Sequence, residues 1–187
     1  RWLCAGFGTQ AAGVITGGML TSPAATYNTT EEYNGSSWSA GGNLTTGTYE
    51  LGACGILTSG LAIAGEGTGP VGYSNRTEEY NGTAWSAGGN LVAMDNKGNG
   101  AAGTTQTAAI TFGGNNGGVR DDTEEYDGTT WTVAMRMDRT RASNPGGFGS
   151  KTSAMCAGGD AYPDAPLFTC IEWSYSGFFN PKGPGYS

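Results

Sequence analysis

Residues 30–44 read T-E-E-Y-N-G-S-S-W-S-A-G-G-N-L, and residues 77–91 read T-E-E-Y-N-G-T-A-W-S-A-G-G-N-L. Looser versions follow, T-E-E-Y-D-G-T-T-W from Thr123 and I-E-W-S-Y-S-G-F-F from Ile171. The aromatic residue of each copy falls at Tyr33, Tyr80, Tyr126 and Trp173, at spacings of 47, 46 and 47 residues. Five positions later stand Trp38, Trp85, Trp131 and Phe178. Upstream of each pair an apolar segment runs into glycine: G-V-I-T-G-G at 13–18, L-A-I-A-G-E at 61–66, A-I-T-F-G-G at 109–114 and A-M-C-A-G-G at 154–159. Self-similarity at a fixed period marks a repeat architecture. We divide the chain into four copies, approximately 1–47, 48–95, 96–140 and 141–187, forming a single domain.

Each copy reads as four strands. The first holds small residues (C-A-G-F-G from Cys4, G-A-C-G from Gly52, G-A-A-G from Gly100, G-G-F-G from Gly146), which suits a position where backbones approach closely. The second is apolar and ends at the glycines. The third carries E-E-Y and the fourth starts at the Trp, with Asn-Gly or Asp-Gly between them supplying the positive φ angles of a tight hairpin. Tyr and Trp are then spaced to pack between neighbouring units.

Composition agrees with an all-β chain. It has 187 residues, 35 glycines and a charged fraction of only 13%, which argues against a helical bundle. The glycines keep no three-residue period, so collagen is excluded. Five Trp, nine Tyr and six Phe at regular places argue for burial rather than disorder. A net charge of −7 would repel phosphate backbones, so no nucleic acid partner is expected. No apolar run reaches the length of a membrane span, and membrane insertion is not expected. Because Arg1 stands where an initiator Met would, the expectation is a processed product or a segment of something longer.

The glycine doublet after an apolar strand, followed by a Tyr and a Trp across a short turn, resembles the kelch repeat. The resemblance spans essentially the whole chain and implies a kelch-like β-propeller with four blades of about 47 residues, each a four-stranded antiparallel sheet. The wording G-T-Q, A-I-T-F-G-G and T-E-E-Y-N-G-T-A-W-S-A-G-G-N-L is similar to kelch-like arrays in virion structural proteins of aquatic bacteriophages and related environmental sequences. Two departures stand out: Gly65-Glu66 in copy two in place of a doublet, and Trp173 and Phe178 in copy four in place of Tyr and Trp. Four copies is few for such propellers. Either the blades close by packing alone, without strand exchange, or they belong to a bigger ring; an open array is the third choice.

The four cysteines allow three pairings. Cys156 and Cys170 are equidistant from Pro163, and a regular hairpin would set them opposite each other, close enough to bridge. A Cys4–Cys54 staple between copies and four buried free thiols are the alternatives.

Without histidine, Ser-His and Cys-His nucleophiles and His-based zinc or copper sites are excluded, including the copper centre of galactose oxidase, which is also a kelch propeller. The carboxylate pairs Glu31-Glu32, Glu78-Glu79 and Glu124-Glu125 recur with the repeat, which reads as structure; a catalytic pair would break the symmetry. Residues 115–122 offer oxygen ligands on a turn, but Arg120 disfavours calcium there. Arg136, Arg139 and Arg141 read as a solvated basic run. Of the sequons at Asn28, Asn34, Asn43, Asn75 and Asn81, those at Asn34 and Asn81 are explained by their turns.

What varies between copies is the connection from the second to the third strand. Such loops emerge on one propeller face, and rigid scaffolds carry binding residues on loops. The candidate ligand-binding residues are Tyr27, Tyr73, Arg120, Asp121 and Tyr162. No catalytic residue, metal or cofactor is assigned. The expected function is a non-enzymatic structural or adhesion module, virion-associated, binding other virion or surface proteins or a cell-surface glycan, extracellular or on the virion surface, with homo-oligomerisation open. A secreted or cell-surface carbohydrate-binding propeller is the alternative, and a glycan hydrolase or lyase the third reading.

Overall fold

The computed structural model describes residues 1–21, 24–67, 72–93, 97–138, 140–141, 145–159, 170–174 and 177–179. These contain strands and no helix. Blade 1 is built from β1 (Ala5–Thr9), β2 (Ala12–Thr16), β5 (Thr30–Tyr33) and β6 (Trp38–Ala40), with β3 (Met19–Thr21) and β4 (Ala24–Thr26) as a small ribbon beside it. Blade 2 comprises β8 (Gly52–Ile56), β9 (Ser59–Ile63), β11 (Thr77–Tyr80) and β12 (Trp85–Ala87), flanked by the ribbon of β7 (Thr48–Tyr49) and β10 (Glu66–Gly67). Blade 3 contains β13 (Gly100–Thr105), β14 (Ala108–Phe112), β15 (Thr123–Tyr126) and β16 (Trp131–Val133). Blade 4 contains β17 (Gly146–Ser150), β18 (Ser153–Ala157), β19 (Cys170–Ser174) and β20 (Gly177–Phe179). Every pairing is antiparallel, each blade follows a plain meander, and the four sheets form a four-blade β-propeller.

The inner strands are β1, β8, β13 and β17, which border a central channel through Gly6, Ala53, Ala101 and Gly147. Their small residues let them crowd together: a Cβ on Gly147 would stand 2.2 Å from the Ala101 carbonyl oxygen. β1 packs on β8, β8 on β13 and β13 on β17. Among the described residues no comparable packing joins β17 to β1.

The third-to-fourth-strand hairpin forms as the sequence predicts. Gly35, Gly82 and Gly128 take φ of 94°, 89° and 96°. Asn34 Oδ1 accepts from the N–H groups of Ser36 and Ser37, Asn81 Oδ1 from Thr83 and Ala84, and Asp127 Oδ1 from Thr129 and Thr130. These hydrogen bonds hold the Asp127 carboxyl below its usual range.

The blade joints use the repeated residues. Trp85 Nε1–H donates to Thr30 Oγ1 and Trp131 Nε1–H to Thr77 Oγ1, both at 2.9 Å. The Tyr80 hydroxyl donates to Glu32, and Tyr126 to Glu79 at 2.7 Å. Burial, with the charge of the accepting carboxylate, pushes both phenols up to about 12. Glu78 accepts from the Thr45 N–H and hydroxyl, and Glu124 from the N–H groups of Val92 and Ala93. Glu32, Glu78, Glu79 and Glu124 therefore each hold a neighbouring blade or its connector, Glu125 pairs with Lys151 of blade 4, and Glu31 pairs with Arg1 of its own copy.

Two expectations need correction. In copy two the doublet is Ala64-Gly65: Ala64 takes φ 59° and Gly65 φ 99°, matching Gly17 at 67° and Gly18 at 100°. Glu66 is then the residue after the doublet, equivalent to Met19 and Asn115. The cysteines also differ. Cys156 opposes Ile171, and Cys170 opposes Ala157. That one-residue offset sends the two side chains to opposite faces of the sheet, so Cys156 is buried, Cys170 is exposed, and all four cysteines are free. Burial pushes the Cys54 thiol up to about 12 and Cys156 to about 11.

Candidate functional site

The loops that differ between copies meet the inter-blade connectors on one face. Glu66 pairs with Tyr49 across the β7–β10 ribbon and with Tyr73 through an isolated bridge, so both rings flank one carboxylate. Lys97, from the connector between blades 2 and 3, reaches over this group. Its Nζ stands 2.6 Å from Glu66 Oε2 and 3.3 Å from Glu50 Oε2, with the Tyr49 and Tyr73 ring centroids at 5.9 and 5.7 Å. An ammonium between two aromatic faces and two carboxylates gains from both.

The electrostatics follow from that enclosure. Burial raises Tyr49 to about 12, helped by its hydrogen bond to Glu66. Burial pulls Glu66 upward too, but donation from Lys97 and Tyr49 outweighs it and its carboxyl lies below the usual range. Burial disfavours the Lys97 charge, yet the two carboxylates win and hold its ammonium protonated beyond the usual lysine range. The cluster carries two anions and one cation, with two phenolic rings at its edge.

The Lys97 backbone exchanges hydrogen bonds with Asn115, tying the cluster to the loop of blade 3. There Arg120 Nε lies 2.8 Å from Asp122 Oδ2, and its Nη2 donates to the Ala93 carbonyl. Arg136 spans Asp121 and Asp122, each at 2.9 Å. On the other side the Thr48 N–H donates to the Tyr27 carbonyl, so Tyr27 borders the strand that ends in Tyr49.

Four of the predicted residues are thus distributed along one strip. Tyr73 belongs to the lysine cluster, Tyr27 lies at its blade 1 side, and Arg120 and Asp121 form the neighbouring ion-pair network. Tyr162 lies outside the described residues, as does Arg139. The Asp121 backbone also serves the fold, because its carbonyl accepts from the Met137 N–H as those of Asn28 and Asn75 accept from Leu44 and Leu91. It therefore occupies a repeated structural position. Of the basic run, Arg136 is exposed and ion-paired, whereas Arg141 is fully buried and donates to the Gly158 carbonyl. Among the described residues no cluster of three or more Cys, Asp or Glu could hold a metal ion.

Sequence reasoning missed Tyr49, Glu50, Glu66 and Lys97. The signal was Glu66, a carboxylate directly after the doublet where copies one and three have Met19 and Asn115; copy four has Asp160 there.

No protein-family model matches the sequence, and no curated protein matches it. Solved structures do match. One is the propeller-type protein YjhT, with a TM-score of 0.76 and 13% identity over 94% of this chain and 67% of that one. At that identity the likeness establishes the fold, a β-propeller.

Proposed function

We propose that this propeller is a kelch-like, non-enzymatic binding module of a virion or cell surface, which holds a glycan or protein on its loop-bearing face. The kelch-like reading rests on the doublet and the Tyr–Trp pair in four copies. The binding reading rests on one observation: the repeated polar residues are consumed in joints between blades, whereas Tyr49, Tyr73, Lys97, Glu50 and Glu66 form a cluster without a counterpart among the described residues of the other blades. Phenolic rings beside charged hydrogen-bonding groups suit the alternating apolar and hydroxyl faces of a sugar, and equally an interface hot spot.

The test is a glycan panel, with an adsorption assay on intact cells or particles, using the 187-residue chain and its Tyr73→Ala and Arg120→Ala variants. The expected result is a ligand whose affinity falls about ten-fold or more in Tyr73→Ala, the loss typical of an aromatic hot spot, with the fold retained and the thermal midpoint lowered by no more than about 4 °C. A ligand indifferent to both substitutions, or steady turnover of any glycan, would overturn the proposal.

A further inference from the structure

The three tryptophans that open the fourth strands have unequal surroundings. Trp85 and Trp131 are 7% and 3% exposed, each pressed on the preceding blade, while Trp38 is 49% exposed. Tyr33 stacks on Trp38 at 5.1 Å as Tyr80 does on Trp85 at 4.7 Å, so the pair is assembled but faces no blade among the described residues. The opposite flank, on blade 4, carries the complementary phenylalanine and glutamate, with Cys170 at the register position of Thr30 and Thr77. Phe7 of blade 1 meets Trp85 edge-on at 6.3 Å and fills the space above Gly60, where a Cβ would lie 2.2 Å from its ring. Phe148 holds the same register position in blade 4 and is 52% exposed. Glu172 stands where Glu32 and Glu79 accept the next blade's tyrosine, and a groove runs between Phe148, Met155 and Glu172.

The geometry points to these two flanks being the unmade halves of blade joints, and to their occupant being a pair of further blades of the same repeat, completing a six-blade ring. Continuity with the joints between blades 1, 2 and 3 fixes the chemistry. The added blades must offer a Thr and a Glu to Trp38 and Tyr33, and a Trp and a Tyr to Phe148 and Glu172. The width follows from the arc: the match covers 94% of this chain and 67% of YjhT, so a ring of that length leaves about half as much again as these four blades, room for two more of the same size. A second copy of this chain brings four blades and is too wide for that gap.

The test reads Trp38 directly, as the difference in acrylamide quenching between a chain and its Trp38→Phe variant. The 187-residue chain is expected to sediment as a monomer with Trp38 open to the quencher. A chain extended by a second copy of residues 48–140 is expected to stay monomeric, to lose Trp38 quenching down to the level of Trp85 and Trp131, and to melt at a higher temperature. Trp38 remaining equally quenched in a natively folded extended chain would overturn the inference. Trp38 already shielded in the unextended chain would do so as well, by identifying a second copy if the chain dimerises or self-closure if it does not, and that measurement needs no extension to fold.

Discussion

Trp131→Phe tests the joint between blades most sharply. The indole is 3% exposed, and its N–H donates at 2.9 Å to Thr77, itself buried at 2%. Phenylalanine keeps the ring against Tyr126 but removes that donor, stranding a buried hydroxyl at about 1–3 kcal/mol. The smaller ring leaves a void that adds roughly 1 kcal/mol. A total near 3 kcal/mol lowers the thermal midpoint of a chain this size by about 6–12 °C. Trp38→Phe is the internal control: its ring is half in solvent, and the cost should stay within about 0.5 kcal/mol. Thermal unfolding followed by circular dichroism and calorimetry reads both. Equal losses in the two variants, or a silent Trp131→Phe, would refute the claim that these residues lock blade to blade through a Trp–Thr contact.

Gly60→Ala should lower stability by about 1–3 kcal/mol, because the new methyl meets the Phe7 ring. Gly13→Ala, the equivalent site in blade 1, has its nearest neighbour at 3.6 Å and should be nearly neutral. Iodoacetamide at about pH 8, close to the ordinary thiol range, should modify Cys4 and Cys170 quickly, and Cys54 and Cys156 only on unfolding, counted by mass spectrometry. The thiols and phenols raised by folding favour the native state fully below their ordinary values of 9.0 and 10.0. That contribution is lost as pH climbs towards about 11 to 12, so unfolding midpoints should fall above about pH 9. Phenolate absorbance should show a late step from Tyr49, Tyr80 and Tyr126. For Lys97→Ala the sign is opposite: the depressed Glu66 contributes stability above its ordinary 4.5, lost as pH drops through the folded value. The variant should cost about 1–3 kcal/mol at neutral pH, with the difference shrinking as pH falls under 4.5 and vanishing once Glu66 is protonated in the folded chain, read by urea titration.

The blades were legible because each carries its own local signals. A doublet, an Asn-Gly turn and a Tyr–Trp pair follow one another within a single copy, and the joint is made by residues that must recur. The lysine cluster was not legible, because Tyr49, Glu66 and Lys97 come from two connectors and a ribbon whose meeting depends on how blades 2 and 3 are set together. Ala64 hid the doublet by adopting a backbone conformation usually left to glycine, which moved Glu66 out of frame. Counting symmetrically from Pro163 centred the hairpin on that residue, whereas the strands align through Glu172 opposite Met155 and leave the cysteines one rung apart. Asp121 was readable as a structural position, since it stands two residues before Thr123 as Asn28 and Asn75 stand before Thr30 and Thr77.

The hydroxyl of each joint tyrosine gives its proton to the blade before it and receives one from that blade's outgoing connector, Gly42 for Tyr80 and Gly89 for Tyr126. Such a contact has polarity: a unit turned end for end would confront acceptor with acceptor. Gene rearrangement can therefore lengthen or shorten the array only in whole steps of one period, because a partial duplication separates a tyrosine from its glycine and leaves both flanks mismatched. The near-identity of residues 30–44 and 77–91 is the trace that such a whole-unit duplication would leave behind.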